Sequence, residues 1–297
     1  MTKMPSPPRP SASLIIVNHK NEVLLVQRNP SAKSWGNYHV FPGGVHDEQD
    51  ASFQITAIRE TFEEAGILVA TERDPDSPLN NEALDHGRKA VHSKQLSFKE
   101  FTEQHGLTLS VDALLPFTQW VTPPITARRF HAHFFVYFLP YEEGMQLSVK
   151  EQRLPTPDGG LEVISAAFWS LTRALKAFDI GEISLMPPQF YILQTLAQLL
   201  QGERTDEQKM RIKVLSESNF GKMVIRPEAR RSSEDKTVSI MLYEGDELRG
   251  GPQGRRHRTT SYSRPDVNPK LTLERNFDIF TESPATEDSE AKLKSAL

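Results

Sequence analysis

Cysteine is absent from all 297 residues, which excludes disulfides, thiolate metal sites and a cysteine nucleophile. Long apolar runs are missing too. A bilayer-spanning helix needs about 20 consecutive apolar residues, and the longest candidate, Phe134 to Leu139, has the length of a strand. Nor is either charge in excess: 35 basic and 39 acidic residues leave a formal net charge of −4. That balance gives no electrostatic reason to expect general binding to nucleic acids or membranes. The opening MTKMPSPPRPSAS has no apolar core of a secretory signal, and prolines at 5, 7, 8 and 10 prevent an amphipathic transit helix. Residues 1–10 are expected to form a flexible arm. The remaining composition, 37% hydrophobic and 25% charged, suits a soluble chain that can build a substantial core.

Against these absences one stretch stands out, FPGGVHDEQDASFQITAIRETFEEAGI, from Phe41 to Ile67. On a helix, Glu60, Glu63 and Glu64 project within an arc of roughly 100°. Ile55, Ile58, Phe62 and Ala65 fall on the other side and would dock on a core. Three carboxylates on one face repel one another, so the helix alone gains nothing from them. A hard divalent cation, Mg²⁺ or Mn²⁺, would offset the repulsion and could bridge to substrate phosphates. Arg59, four residues before Glu63, can hold that carboxylate. Gly66 is placed to end the helix. Phe41-Pro42-Gly43-Gly44 reads as a turn that brings backbone close to a ligand.

The order Arg59-Glu60-Thr61-Phe62-Glu63-Glu64-Ala65-Gly66-Ile67, preceded by Gly44, resembles the Nudix box. Departures are Asp50 in place of the first glutamate, a spacing one residue longer before Arg59, and Thr61 where an aliphatic residue is usual. The resemblance implies an α/β/α sandwich with a mixed sheet and hydrolysis of a nucleoside diphosphate linked to another moiety. It further implies that Glu60 and Glu64 are the principal metal ligands. Glu63 would be a further ligand or the base for water, and the carbonyl of Gly44 could complete the shell.

In chain order, Ser13–Val17 and Glu22–Arg28 read as a hairpin and His39–Phe41 as a short strand. The box helix is expected over roughly 51–65, with Asp50 as its cap, and a strand should start at Leu68. Residues 71–110 form an insertion: a loop at Asp74–Pro78, then helices over 80–96 and 98–105. This insertion is read as a lid or substrate-selecting element or, equally, as a passive surface insertion. Strands follow at 114–121 and 129–139, the second central. A turn at 155–160, a strand over 162–169, and helices over 171–178 and from Pro187-Pro188 to about Leu200 complete a domain spanning 11–200. Residues 201–280 are read as a C-terminal extension with a small β appendage, and 281–297 as a disordered tail.

Further segments resemble the coenzyme A diphosphatase-like subgroup of the Nudix family, nucleoside diphosphate-linked moiety X motif 19. They are Trp120-Val121-Thr122-Pro123, Arg128-Arg129-Phe130 with Phe134-Phe135, and Gly181 to Gln189. A late Arg255-Arg256-His257-Arg258 adds to them. This implies cleavage of coenzyme A or acyl-coenzyme A at the diphosphate, in peroxisomes or mitochondria, although the residues alone leave the cytoplasm open. The terminal Lys294-Ser295-Ala296-Leu297 resembles a Ser-Lys-Leu address only loosely. Substrate contacts are expected from Gly43 and Gly44, from Arg28, and from one of Arg128 and Arg129, since guanidinium groups grip phosphate bidentately. The alternative for the arginine pair is a structural role. His39, His131 and His133 are expected to be packed or surface residues, Trp120 a core residue, Glu162 an extra acid or base or a solvated glutamate, and Arg255–Arg258 exposed. Rival functions are another Nudix substrate (ADP-ribose, a dinucleoside polyphosphate or a capped RNA end) and a non-catalytic nucleotide sensor.

Overall fold

A computed structural model describes residues 6–32, 35–72, 79–140, 153–231, 237–264 and 267–284. The Asp74–Pro78 loop and the tail from 285 lie outside the described residues. Strands β1 (Arg9–Val17), β2 (Glu22–Arg28), β3 (Tyr38–Val40) and β4 (Gly43–Val45) lead to helix α1 (Phe53–Ala65). After β5 (Ala70–Glu72) come helices α2 (Asn81–His92) and α3 (Phe98–Gln104), then β6 (Leu107–Leu109), β7 (Leu115–Val121), β8 (Phe130–Phe138) and β9 (Val163–Ser170). The rest comprises α4 (Leu171–Asp179), β10 (Ser184–Leu185), α5 (Pro187–Leu199), α6 (Asp206–Glu217), α7 (Asn219–Lys222) and β11 (Val224–Ile225). It ends in β12 (Glu228–Arg231), β13 (Val238–Leu242), β14 (His257–Arg264) and β15 (Val267–Arg275). The chain divides into two compact units, one of residues 11–114 and 135–170, the other of 1–10, 115–134 and 171–297.

In the first of these units β2 pairs antiparallel with β1, β3 and β9, and β4 pairs antiparallel with β1. The β1–β2 hairpin closes through Asn18, whose Oδ1 accepts the N–H groups of Lys20 and Glu22. The second half of β8, Phe134 to Tyr137, is buried, as expected of a central strand. β1 and β8 run parallel, so the sheet is mixed: the Leu139 N–H donates to the Val17 carbonyl and the Arg9 N–H to that of Arg129. β1 thus begins at Arg9, inside the segment expected to be an arm. Gly43 and Gly44 sit in strand β4 rather than in a turn, opposite Ser13 and Ala12.

Three details of α1 differ from expectation. Its cap is Ser52, whose hydroxyl accepts the Ile55 N–H, because Asp50 is drawn away to Arg59. The following strand begins at Ala70, not Leu68, since the Gly66 stop is followed by a buried connector through Ile67 and Val69. The helix is also buried around most of its girth: Thr56, Ala57 and Thr61 join Ile58, Phe62 and Ala65, and Glu64 itself is 1% exposed. Gly66 does end it, at φ 70°, with its N–H on the Phe62 carbonyl. The inserted helices are part of this core. Phe101 stacks on Phe62 at 5.2 Å between centroids, and Phe98 tilts against it at 6.0 Å.

In the second unit Trp120 and Tyr243 pack edge-to-face with each other and with Tyr191 of α5. β11 extends β7 in parallel. β12 to β15 form a separate antiparallel four-stranded sheet. Not all of the expected β appendage is strand: Ile212–Leu215 is helical, in α6, started by a reciprocal cap between Thr205 and Gln208. The basic run is not uniformly exposed either. Arg256 is, but His257 is fully buried, Arg255 lies over the Phe277 ring at 4.1 Å, and Arg258 makes two 2.8 Å bonds to buried Asp246. Among the described residues no helix is long and apolar enough to cross a membrane.

Candidate active site

The site is built where β4 runs against α1. A Cβ on Gly44 would fall 2.4 Å from the Glu60 carboxylate, and one on Gly43 would meet the backbone of β1 at 2.4 Å. Glycine is needed here for close approach, not for an unusual backbone angle. The Gly43 N–H then donates to Glu64 Oε2 at 2.9 Å.

Arg59 ties the arrangement together. Its Nε and Nη2 donate to Asp50, Nη2 reaches the Val45 carbonyl at 3.2 Å, and Nη1 donates to both Glu60 Oε1 and Glu63 Oε1 at 2.9 Å. Burial alone would loosen its proton, but Asp50, Glu60 and Glu63 outweigh that and hold the charge more firmly. Asp50 is therefore the anchor of this arginine, with Thr56 donating to its second oxygen at 2.9 Å.

Glu60 has its pKa pushed up to about 7, first by burial, with Arg59 pulling it down and Glu63 and Glu162 pushing it up. Glu64 is raised well above the carboxylate range by burial and by the charge of Glu60, opposed by the Gly43 N–H and by Arg28. Arg28, at the end of β2, approaches Glu64 Oε1 at 3.8 Å. Glu64 Oε1 and Arg28 Nε are both buried without a hydrogen-bond partner.

Glu162 is exposed at the start of β9, and its charge acts on both Glu60 and Glu64. Its loop is fixed from two sides. Asp158 accepts the N–H groups of Gly160, Leu161 and Glu162 at 2.7–3.0 Å. Asn29 donates its N–H to the Glu162 carbonyl at 2.8 Å and its side-chain amide to the Gly160 carbonyl.

The expected site residues thus divide. Arg28, Gly43, Gly44, Arg59, Glu60, Glu63 and Glu64 come together in one unit. Arg128 and Arg129 belong to the other, where Arg129 donates to the carbonyls of Thr122 and Ser6 and Arg128 is exposed. Trp120 is core, His39 is buried, and His131 is half-buried with Gln119 at 2.8 Å. The roles of Asp50 and Asp158 escaped the sequence reading, although Asp158 before Gly159-Gly160 carries a turn signal.

Among the described residues no three acidic, histidine or cysteine groups stand ready to hold a metal ion. Glu60 and Glu63 are turned onto Arg59, and Glu64 onto Gly43. The donor chemistry nevertheless fits a hard cation. Every candidate ligand is an oxygen, Glu64 Oε1 is buried and unpartnered, and burial and mutual repulsion disfavour charge on Glu60 and Glu64.

Comparison with known proteins places these residues in a family. Residues 49–196 match the family model described as the NUDT19 Nudix domain. A Caenorhabditis elegans protein named nudix hydrolase 7 is 30% identical over 66% of this chain and 63% of its own length. The human acyl-coenzyme A diphosphatase NUDT19 is 31% identical over 50% of this chain and 40% of its own length. The chain thus spans about two fifths to three fifths of these curated relatives. The crystal structure of a NUDIX hydrolase from Alicyclobacillus acidocaldarius matches with a TM-score of 0.52 at 22% identity, over 65% of this chain and 92% of that one, which shows a shared fold. Box, fold and family match agree: the chain belongs to the Nudix superfamily, with a Nudix domain of the NUDT19 type.

Proposed function

We propose that the protein is a Mg²⁺- or Mn²⁺-dependent hydrolase that cleaves the diphosphate of coenzyme A or acyl-coenzyme A to adenosine 3′,5′-bisphosphate and (acyl-)phosphopantetheine. One observation carries this reading. Buried Glu64 and half-buried Glu60 and Glu63 crowd beside the half-buried guanidinium of Arg28, and Glu64 Oε1 and Arg28 Nε are buried without a hydrogen bond. Such a pair is costly to leave in a folded protein unless a cation and an anion are to complete it. The coenzyme A assignment is supported by relatives that bear the name acyl-coenzyme A diphosphatase.

A bound divalent cation supplies Lewis acidity and neutralises charge on the phosphoryl oxygens. Glu60 and Glu64 would hold that cation, and Glu63 would either join them or take the proton of the attacking water. Arg59, braced by Asp50, keeps Glu60 and Glu63 from drifting apart. Arg28 binds a phosphate oxygen, and Gly43 and Gly44, the two residues of β4 without side chains, let the diphosphate approach the backbone. Glu162 is a second candidate for the proton. For Arg128 and Arg129 the role would be the 3′-phosphate.

The test is product analysis with coenzyme A, ADP-ribose and diadenosine tetraphosphate side by side under Mg²⁺ and under Mn²⁺. Coenzyme A should give the highest kcat/KM. Faster cleavage of another substrate, or cleavage of none, overturns the reading. Loss of an arginine at the 3′-phosphate should cut the preference for coenzyme A over 3′-dephospho-coenzyme A by roughly ten- to a hundredfold. An unchanged ratio in both Arg128→Ala and Arg129→Ala makes these arginines structural.

A further inference from the structure

The inserted helix α2 reaches the site through one of its faces. Arg88 and His92 are four residues apart and so stack on one side of the helix. Arg88 Nε donates to the Glu63 carbonyl at 2.8 Å, and its other nitrogens donate to the Thr156 hydroxyl and carbonyl at 3.0 and 2.9 Å. One turn on, His92 Nδ1 stands 3.4 Å from Glu63 Oε2. That nitrogen is buried and, at this separation, forms no hydrogen bond, so Glu63 Oε2 is the acidic oxygen it faces. Glu63 is thus approached at its backbone by Arg88, at Oε1 by Arg59 and at Oε2 by His92.

The Arg59 contact leaves Glu63 under-determined. The same Nη1 serves Glu60 Oε1 and Glu63 Oε1, so a ligand drawing Glu60 away also changes what Glu63 is bonded to. A second, independent contact at Oε2 removes that freedom. Building on the hydrolase reading above, we propose that the insertion is a working wall of the site and that His92 is a positioning residue, holding the Glu63 carboxylate in its productive orientation. Arg88 sets the distance between the helices and His92 sets the rotamer.

A positioning contact of this kind governs cation affinity and turnover by about 10- to 100-fold in known metal sites. The full-length protein is compared with His92→Ala and with His92→Asn, whose amide can place an N–H close to where Nδ1 lies. Coenzyme A is the activity probe and Mn²⁺, titrated without substrate, the binding probe. His92→Ala should lower kcat and weaken Mn²⁺ binding by about tenfold, with KM within about twofold and an unchanged melting temperature. His92→Asn should recover most of both. Wild-type Mn²⁺ affinity in His92→Ala overturns the proposal. So does a loss that tracks the melting temperature equally in both variants, since that marks mere packing. If the wild type cleaves no diphosphate, the hydrolase reading fails, while the Mn²⁺ titration still decides the role of His92.

Discussion

Glu64 is more costly to the folded state as a carboxylate than it would be as an amide. Burial and the neighbouring Glu60 both disfavour its charge. Glu64→Gln keeps an acceptor for the Gly43 N–H and removes that repulsion. It should therefore leave the melting temperature equal or higher near pH 7.5 while lowering kcat at least a hundredfold, measured by calorimetry and by steady-state hydrolysis of coenzyme A. Gly44→Ala acts on the same spot from the opposite side. A methyl group 2.4 Å from the Glu60 carboxylate must displace it, so kcat should fall by about ten- to a hundredfold while the fold survives. The three glutamates and Arg59 were legible in the sequence because helical spacing is a local property. The task of Asp50 was not. An aspartate just before a helix reads as a cap, and only the folded β4–α1 corner shows that Arg59 competes for it and Ser52 takes its place.

At the scale of elements, the insertion was recognised as two helices but not as core. Its capping residues, Asn80 and Ser97, are local signals. The seating of Phe98 and Phe101 on Phe62 depends on a pairing distant in sequence. Phe101 is fully buried, so Phe101→Ala should cost about 3–5 kcal/mol in denaturant unfolding, well beyond the effect of trimming a surface loop. It should also lower activity, because α2 carries the Arg88 contact to Glu63. Ile212–Leu215, inside the extension expected to hold a small β appendage, is helix instead. Its β-branched residues suggest a strand, yet the Thr205 cap and the burial of Ile212 and Leu215, one turn apart, select a helix.

For the molecule as a whole, the unit carrying the C-terminal residues has its own pH sensitivity. His257 Nδ1 faces the Glu244 carbonyl at 2.7 Å, so it carries the proton, and the Tyr191 hydroxyl, 2.9 Å from Nε2, donates to that nitrogen. Burial first, then the charges of Arg275 and Arg255, lower its pKa to about 3, against the pull of the Glu244 carbonyl and Asp246. The unfolded chain binds this proton near pH 6.5 and the folded one does not. The stability it contributes is complete above about pH 6.5 and is lost as pH falls toward 3. The melting temperature should fall more between pH 7 and pH 4.5 in the wild type than in His257→Gln. The pairing of β2 bears on a different matter, the order in which the chain assembles. β2 meets β1 across a short turn, but its other long partner, β9, arrives only after the insertion, β7 and β8 have been traversed. Closing so large a loop is slow relative to forming α1 or the hairpin. Glu162 and the Asp158 loop enter with β9, so a refolding chain acquires helical signal well before a complete site. Activity should return in a later phase than far-ultraviolet circular dichroism, and a protease added in that interval should cut selectively within residues 135–170.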